Sequence, residues 1–406
     1  RRFNNGNGYK LGAAEFIKAQ DLQVGDYVAY PLARIVEKVE TLDLAQLVSR
    51  ACTDRWVYVD HVTPEVPRAW EWLVEHGPAK NRAELLKAKG WTINQYKVAQ
   101  AAYRKGRTLR RVPRYLPFDR DLAWVMGLYL AEGNTSAKQV LFALHRKEQD
   151  YVAKLNRFFQ ERFGTIEGIQ ATRSEEGIQV IFSSIVAAEL FHALCPGDSR
   201  TKRIPQVYRH AEEPLVVSLL EGLTDGDGCD HPPDAEGREK TTYTSVSLQL
   251  TEDARQLLLS IQVPVGVTCT PAEDRMILGV LSHCNAAYRL QASGCSHQRL
   301  RALFRGETPP PLQDVRMGVF RDGYFWHRID EIHQVEAEEV IGFSVDGNNT
   351  FCTWGMATHN SGYIPIMPLP IGYQLIGGTG RAMLLHQEHR VLAEHLGAGE
   401  TQGQEA

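Results

Sequence analysis

Two stretches of the chain, Val125–Gly133 (VMGLYLAEG) and Leu220–Gly228 (LEGLTDGDG), carry the same pattern and decide the fold. In each, a glycine is followed four residues later by alanine or glycine, then at once by a carboxylate and a closing glycine. Small residues at positions i and i+4 share one helix face, so a second helix can approach that face closely. The closing glycine is suited to the left-handed conformation that ends many helices. The repeat therefore predicts two helices packed face to face, with both carboxylates at the same end.

The two carboxylates, Glu132 and Asp227, are 95 positions apart, so each belongs to one domain-sized repeat. Carboxylate oxygens beside the carbonyl oxygens of a helix C-terminus make a hard-oxygen site that suits Mg²⁺. Such a site serves phosphodiester hydrolysis, in which bound ions activate water and stabilise the leaving oxygen. One copy of the pattern would indicate only an ordinary buried helix with a capped end. Two copies at matching positions favour the metal site.

Residues 116–315 resemble the LAGLIDADG homing endonucleases, on the strength of these two motifs. The resemblance implies a pseudo-twofold pair of αββαββα units that form a β-saddle over the DNA major groove. It also implies that Glu132 and Asp227 are the metal-binding acids, although the family more often has Asp in the first copy. The segment Thr201–Pro205 (TKRIP) is similar to the Lys-x-Ile-Pro element that precedes the family's second acidic helix. Lys202 is therefore a candidate for active-site or phosphate contact, with a surface lysine as the alternative.

The overall composition fits a globular chain of two or three domains. The 406 residues are 43% hydrophobic and 23% charged, and the formal net charge of −4 excludes a uniformly basic nucleic-acid coat. A DNA-binding surface must then be local. The apolar runs are too short to span a membrane, and the N-terminus has no apolar signal core. We expect a soluble, cytoplasmic protein with no membrane partner.

A helical pattern runs from about residue 41 to residue 115 and contains a candidate helix-turn-helix, in which Gly90-Trp91 separates two helices and Thr92 caps the second. Basic side chains are concentrated just after it, which indicates a strip that contacts DNA phosphates. A solvated linker face is the alternative. The candidate nucleic-acid-binding residues are Lys97, Arg104, Lys105, Arg107, Arg110 and Arg111.

A second kind of chemistry is indicated by the tripeptide His359-Asn360-Ser361, which comes after a strand-like segment. The amide nitrogen of Asn360 can attack its own backbone carbonyl, closing a succinimide and breaking the peptide bond to Ser361. His359 can polarise that carbonyl or protonate the leaving group, and the Ser361 hydroxyl can accept an acyl group beforehand. The tripeptide alone is common, so its position in the chain carries the argument.

That position resembles the end of an intein. Residues 340–351 and 358–361 are similar to the two C-terminal blocks of the intein family, and Ala19–Val28 is similar to its Ala-x-Asp-Leu-x-x-Gly-Asp segment. Asn349 stands where many inteins have His. The intein's N-terminal nucleophile and Thr-x-x-His block would precede residue 1. We therefore expect that splicing requires flanking exteins and residues supplied by a longer chain or by a separate N-terminal intein partner.

Taken together, the patterns predict an α+β chain in which a partial all-β Hedgehog/intein splicing domain is interrupted by the endonuclease and its helical insert. The predicted boundaries are 1–40 and 316–360 for the splicing domain, 41–115 for the insert, 116–315 for the endonuclease and 361–406 for a C-extein fragment. Three functions are compatible with them: an intein with an active Mg²⁺-dependent homing endonuclease for double-stranded DNA, an intein whose endonuclease has decayed, or a DNA-binding regulator without splicing or cleavage. The third gives no reason for His359-Asn360-Ser361 to follow those strands, and retention of both Glu132 and Asp227 favours the first over the second.

Overall fold

The computed structural model describes eleven segments of the chain. They are residues 2–4, 9–11, 14–17, 21–47, 115–165, 167–235, 237–277, 280–311, 317–332, 350–353 and 356–359. None of the helices in these segments is both long and apolar enough to cross a membrane.

The elements before residue 118 are short. In chain order they are β1 (Arg2–Asn4), β2 (Tyr9–Leu11), β3 (Tyr27–Pro31), β4 (Thr41–Asp43), α1 (Leu44–Leu47) and β5 (Tyr115–Pro117). Strand β4 pairs antiparallel with β5, and Asp43 lies opposite Tyr115. Residues 48–114, most of the predicted helical insert, lie outside the described residues, and this strand pair joins the chain on either side of them.

The central region, from 120 to 304, consists of two units with the order αββαββα. The first comprises α2 (Arg120–Glu132), β6 (Gly133–Ser136), β7 (Gln139–His145), α3 (Gln149–Phe163), β8 (Ile169–Thr172), β9 (Gly177–Ser183) and α4 (Ile185–Leu194). After a short helix, α5 (Gln206–Arg209), the second comprises α6 (Glu213–Asp227), β10 (Gly228–His231), β11 (Lys240–Ser245), α7 (Leu248–Ser260), β12 (Gly266–Thr270), the hairpin β13 (Glu273–Ile277) and β14 (Val280–Cys284), β15 (Ala287–Ser293) and α8 (Cys295–Phe304).

Each unit folds into an antiparallel four-stranded sheet with helices on one face. The strand orders are β6-β7-β9-β8 and β10-β11-β15-β12, so the two sheets have the same topology. Along β7 and β9, alternate residues such as Val140, Phe142, Val180 and Phe182 are fully buried, as expected when one face of a sheet covers a core. The other face of each sheet is open. Helices α2, α4 and α7 begin at side-chain caps, where an Asp or Ser oxygen accepts a hydrogen bond from the N–H three residues on.

A third sheet joins strands from opposite ends of the described chain. Strand β17 (Tyr324–Arg328) pairs with both β16 (Gly318–Arg321) and β3, in the order β16-β17-β3. The last pair, β18 (Thr350–Thr353) and β19 (Met356–His359), forms a hairpin, and Cα atoms of β19 come within 8 Å of those of β3. The sequence segments predicted to flank the endonuclease are therefore neighbours in space.

This third sheet packs on helix α7 through a buried polar contact. Tyr30 is only 2% exposed, and the guanidinium of Arg255 lies 4.7 Å from the centroid of its ring. Arg255 also forms a buried ion pair with Glu252 at 2.7 Å. Because removing either charge would leave the other buried and unpaired, the contact ties the sheet to the second unit.

Candidate metal and nucleic-acid site

The two repeated helices, α2 and α6, touch backbone to backbone, as the small-residue pattern predicts. A Cβ atom at Gly127 would lie 2.0 Å from the carbonyl oxygen of Leu219, and one at Gly222 would lie 2.0 Å from that of Trp124. Only glycine fits at these two positions, and the contact is the same from either side. The repeat in the sequence thus becomes a two-fold helix pair.

This packing brings Glu132 and Asp227 to the same end of the pair. At the end of α6, a Cβ built on Gly226 would lie 2.4 Å from the Cβ of Ala131 and 3.2 Å from the Cγ of Glu132. Gly226 directly precedes Asp227, so the last turns of the two helices are in contact where the carboxylates emerge. Both carboxylates therefore emerge at the same end of the helix pair.

The closing glycines act differently from the sequence-based expectation. Gly133 and Gly228 are extended, with φ near −88° and −89°, instead of left-handed. Each glycine ends its helix and begins the first strand of its sheet. A Cβ atom at Gly133 would lie 2.1 Å from a ring carbon of Tyr129, and one at Gly228 would lie 2.2 Å from the carbonyl oxygen of Thr224. Glycine is needed at both positions because no side chain would fit. Since a strand follows at once, each carboxylate lies at the junction between a helix and a sheet.

Both carboxylates are held in an environment that disfavours their charge. The pKa of Glu132 is raised to about 7, chiefly by burial, while the carboxylates of Asp227 and Glu148 add to the shift and Lys202 opposes it. Asp227 has a solvent-exposed edge, yet its pKa is raised to about 6, because desolvation by the surrounding protein outweighs the attraction of Lys202. A bound cation would stabilise both ionised groups.

Lys202 does not lie on the surface, and its ammonium group is not available to a phosphate. The side chain is 6% exposed, and Nζ donates hydrogen bonds to the carbonyl oxygens of Tyr129 (2.8 Å), Leu130 (3.2 Å) and Gly133 (2.6 Å). These three bonds use all three donors of an ammonium. Lys202 thus caps the C-terminal turn of α2, which carries Glu132, and the surface and phosphate-contact predictions for this residue are both replaced by a positioning role.

Two residues without any signal in the sequence hold the Lys202 segment in place. The Oγ of Ser247 donates to the carbonyl oxygen of Lys202 at 2.7 Å, and the buried carboxylate of Asp253 accepts from the N–H of Ile204 at 3.1 Å. Both lie on or at the start of α7, more than forty residues further along the chain. No local pattern indicates such contacts, since they depend on how the second unit folds back.

Another acid of the second motif, Asp225, is directed elsewhere. Its Oδ2 accepts a hydrogen bond of 2.7 Å from Nε1 of Trp124, one turn from the start of α2. The Lys154 ammonium lies 3.7 Å from the centroid of the same indole ring. Asp225 therefore braces the helix pair.

The donor set fits a hard divalent ion whose remaining ligands come from water and substrate. Among the described residues, no group of three or more His, Cys, Asp or Glu side chains is placed to hold a metal. A closed zinc-type site is therefore not formed by these residues. Mg²⁺ is commonly held by one or two carboxylates, with waters and phosphate oxygens completing its shell, and Glu132 and Asp227 supply that minimum.

The other predicted site residues fall mainly outside the described residues. This applies to the basic strip of Lys97, Arg104, Lys105, Arg107, Arg110 and Arg111, and to Asn360 and Ser361. His359 is the last residue of β19. Its neighbour Asn360 thus comes directly after a strand that lies near β3.

Comparison with curated proteins gives partial matches only, and no family model matches the chain. The ATP-dependent DNA helicase Hel308 of Thermococcus kodakarensis is 23% identical over 258 residues, which is 63% of this chain and 22% of the relative. The replication factor C small subunit of Methanocaldococcus jannaschii is 33% identical over 123 residues, 27% of this chain and 7% of the relative. The chain spans less than a quarter of the length of either protein.

Solved structures similar to this one include LAGLIDADG proteins. Mesophilic variants of the homing endonuclease I-DmoI match with a TM-score of 0.33 and 12% identity, covering 47% of this chain and 98% of that chain. The N-terminal LAGLIDADG domain of DUF199/WhiA matches with a TM-score of 0.30 and 14% identity, covering 46% of this chain and 79% of that chain.

Proposed function

We propose that the two αββαββα units form a divalent-metal-dependent endonuclease that cuts double-stranded DNA at a specific site. The observation that carries this proposal is the glycine-mediated contact of α2 and α6, which sets Glu132 and Asp227 together. Burial raises the pKa of both carboxylates, so a cation between them would relieve the cost of their charge. The resemblance of both motifs to the LAGLIDADG endonucleases supports DNA as the substrate.

In this proposal the protein supplies placement and charge. A divalent ion such as Mg²⁺, when bound, would stabilise charge on the phosphate oxygens and lower the pKa of the attacking water. Glu132 and Asp227 hold the ion, and Lys202 fixes the helical turn that carries Glu132. Each sheet begins directly after one of these acids, and in this proposal the open faces of the two sheets receive the duplex.

The test is cleavage of a plasmid library carrying long random inserts, in Mg²⁺, with the break sites mapped by end sequencing. We expect cuts within one asymmetric site of roughly twenty base pairs, loss of cutting in Glu132→Gln and Asp227→Asn, and full cutting in the control Asp225→Asn. The control removes a nearby charge and leaves an oxygen to accept the Trp124 hydrogen bond. Unchanged cleavage by Glu132→Gln and Asp227→Asn would remove both acids from the site.

The same experiment separates the alternatives. A wild-type chain that protects one DNA site but never cuts it is a DNA-binding regulator. One that neither binds nor cuts, although it is folded by circular dichroism, has lost the endonuclease function. Both outcomes would refute the proposal.

A second activity, cleavage of the peptide bond after Asn360, is proposed on a separate observation. Strands β3 and β17 share a sheet, and β19, which ends at His359, lies close to β3, so the flanking segments belong together as a splicing domain would require. The nearby sheet can hold the strand that leads into Asn360. The chemistry would be succinimide formation at Asn360, with release of the segment that begins at Ser361.

Mass spectrometry of the purified full chain over time tests this activity. We expect a fragment beginning at Ser361 from the wild type, none from Asn360→Ala, and unchanged release from the control Asn348→Ala. Release that continues in Asn360→Ala would eliminate cyclisation as its cause, whatever the result of the DNA assay.

A further inference from the structure

The open faces of the two four-stranded sheets are chemically unlike. In the first sheet, Leu141 lies opposite Ile181, and Ile181 lies opposite Ile169, so three aliphatic side chains form one row across three strands. Directly paired residues of antiparallel strands share a face, and this face is opposite to that of the buried Phe142 and Val180. Ile169 is 57% exposed. We call these three residues the aliphatic row.

The described strands of this face carry no Lys or Arg, although the guanidinium of Arg173, which directly follows β8, donates a hydrogen bond to Gln179 at its edge. The outward residues of β6 to β9 include no Lys or Arg, and the neighbours of the aliphatic row are small or uncharged polar side chains, such as Asn134, Ala143 and Gln179. Ile169 is exposed, while Leu141 and Ile181 are half-buried, and a contiguous apolar row that reaches solvent often marks a contact surface. Here it lies on the sheet that begins directly after Glu132.

The open face of the second sheet is polar and carries a central cation. Arg289 is exposed and lies between Thr244 and Thr268 on the adjacent strands. Its Nε donates to the Oγ1 of Thr244 at 3.4 Å, so the two terminal nitrogens of the guanidinium can donate to a bound partner. The next row holds Gln291 and Thr242, of which Thr242 is buried and has its hydroxyl hydrogen-bonded to His231. These are hydrogen-bonding side chains where the first sheet has aliphatic ones.

We propose that the aliphatic row reads thymine 5-methyl groups in one half of the DNA site, whereas Arg289 reads a guanine in the other half. The inference rests on the proposed endonuclease function. Strands are about 4.8 Å apart, so a row across three strands is about 10 Å long and fits the roughly 12 Å width of the major groove. In that groove the thymine methyl is the apolar group, and guanine offers two acceptors to an arginine fork.

The experiment uses wild-type protein and chemically altered DNA, so protein folding does not enter. Dissociation constants are measured without divalent ion, to prevent cutting, on the mapped site with thymine replaced by deoxyuridine in one half at a time. Removing a methyl from an apolar contact weakens binding about fourfold for each contact, from about 0.8 kcal/mol per buried methylene-sized group. Replacing guanine by 7-deazaguanine in the other half, which removes one acceptor, weakens binding about tenfold.

Two exposed variants assign each half to its sheet. Ile169→Ser, which leaves no methyl group on the side chain, abolishes the deoxyuridine penalty at one position without changing the 7-deazaguanine penalty, and Arg289→Ala does the reverse. Equal deoxyuridine penalties in both halves, or none in either, would overturn the assignment and leave the endonuclease proposal standing. A chain that binds no DNA site refutes the proposed function and this inference with it.

Discussion

The helix contact can be tested by one methyl group, in the substitution Gly222→Ala. In an ordinary helix interior this change stabilises by up to about 1 kcal/mol, because alanine is the better helix former. Here the added Cβ would lie 2.0 Å from the carbonyl oxygen of Trp124, 2.9 Å from its carbon and 3.0 Å from the backbone nitrogen of Leu128. These are backbone atoms of a helix, which cannot rotate away as a side chain can. The sign of the effect should therefore reverse.

The size of the effect can be worked out from these distances. An ordinary contact for a Cβ is 3.4 Å or more, so α6 must move away from α2 by more than 1 Å. Overpacking of a tight core costs about 1–3 kcal/mol, and a backbone clash belongs at the upper end, so we expect a loss near 3 kcal/mol. The same movement separates Asp227 from Glu132. A displacement of 1 Å in a catalytic site can lower the rate about 100-fold.

Urea unfolding and DNA cleavage measure the two effects. The matched control is Gly266→Ala, since a Cβ there meets nothing closer than 3.9 Å and the residue has no left-handed φ. The control should be within about 0.5 kcal/mol of wild type, or slightly more stable because alanine restricts the unfolded chain. If Gly222→Ala is as stable as wild type and cuts DNA at the same rate, the close helix contact is not what places the acids.

Three further outcomes are expected from the site and its supports. The pKa of Asp227 is raised to about 6, so folding is favoured while this carboxyl is protonated, and that contribution to stability is lost as the pH rises through 6. In metal-free protein, Asp227→Asn should therefore have a higher Tm than wild type, and the difference should be larger at pH 8 than at pH 5. The pKa of the buried His327 is lowered to about 4, first by burial and then by the charge of Arg255. The free energy of unfolding should therefore fall by about 1.4 kcal/mol per pH unit as the pH drops from 6.5 toward 4. In acid-unfolding curves, His327→Phe should show a smaller loss over this range. Lys202→Met should cost about 2–4 kcal/mol in urea unfolding and reduce cleavage, whereas a fully stable Lys202→Met would contradict the capping role.

The site can be predicted as far as its repeat allows. Glu132 and Asp227 are recognisable because both come after the same spacing of small residues, and a spacing along a helix fixes which side chains share a face. The pattern predicts left-handed closing glycines, yet both glycines are extended because a strand begins directly at each of them. Glycine is required there because the last helical turn leaves no room for a Cβ atom. The element after a helix therefore sets its ending as much as the last residue does.

Glu132 and Asp227 can be placed from local spacing, whereas the role of Lys202 cannot. Its motif is visible in the sequence, but its role depends on contacts with residues far away in the chain. The sequence places it before the second acidic helix, yet its ammonium reaches back 69 to 73 residues to cap the first. Ser247 and Asp253, which hold its segment, carry no local signal at all.

The sequence by itself determined the two-fold helix pair and the two acids at its end, since these depend on a periodicity of a few residues. Tertiary structure alone decided that Lys202 is a cap, that Asp225 is held by Trp124, that β3 pairs with β17, and that Leu141, Ile181 and Ile169 line up on one face. Each of these is a contact between residues far apart in the chain. Such contacts depend on strand register and helix packing, which no local spacing encodes.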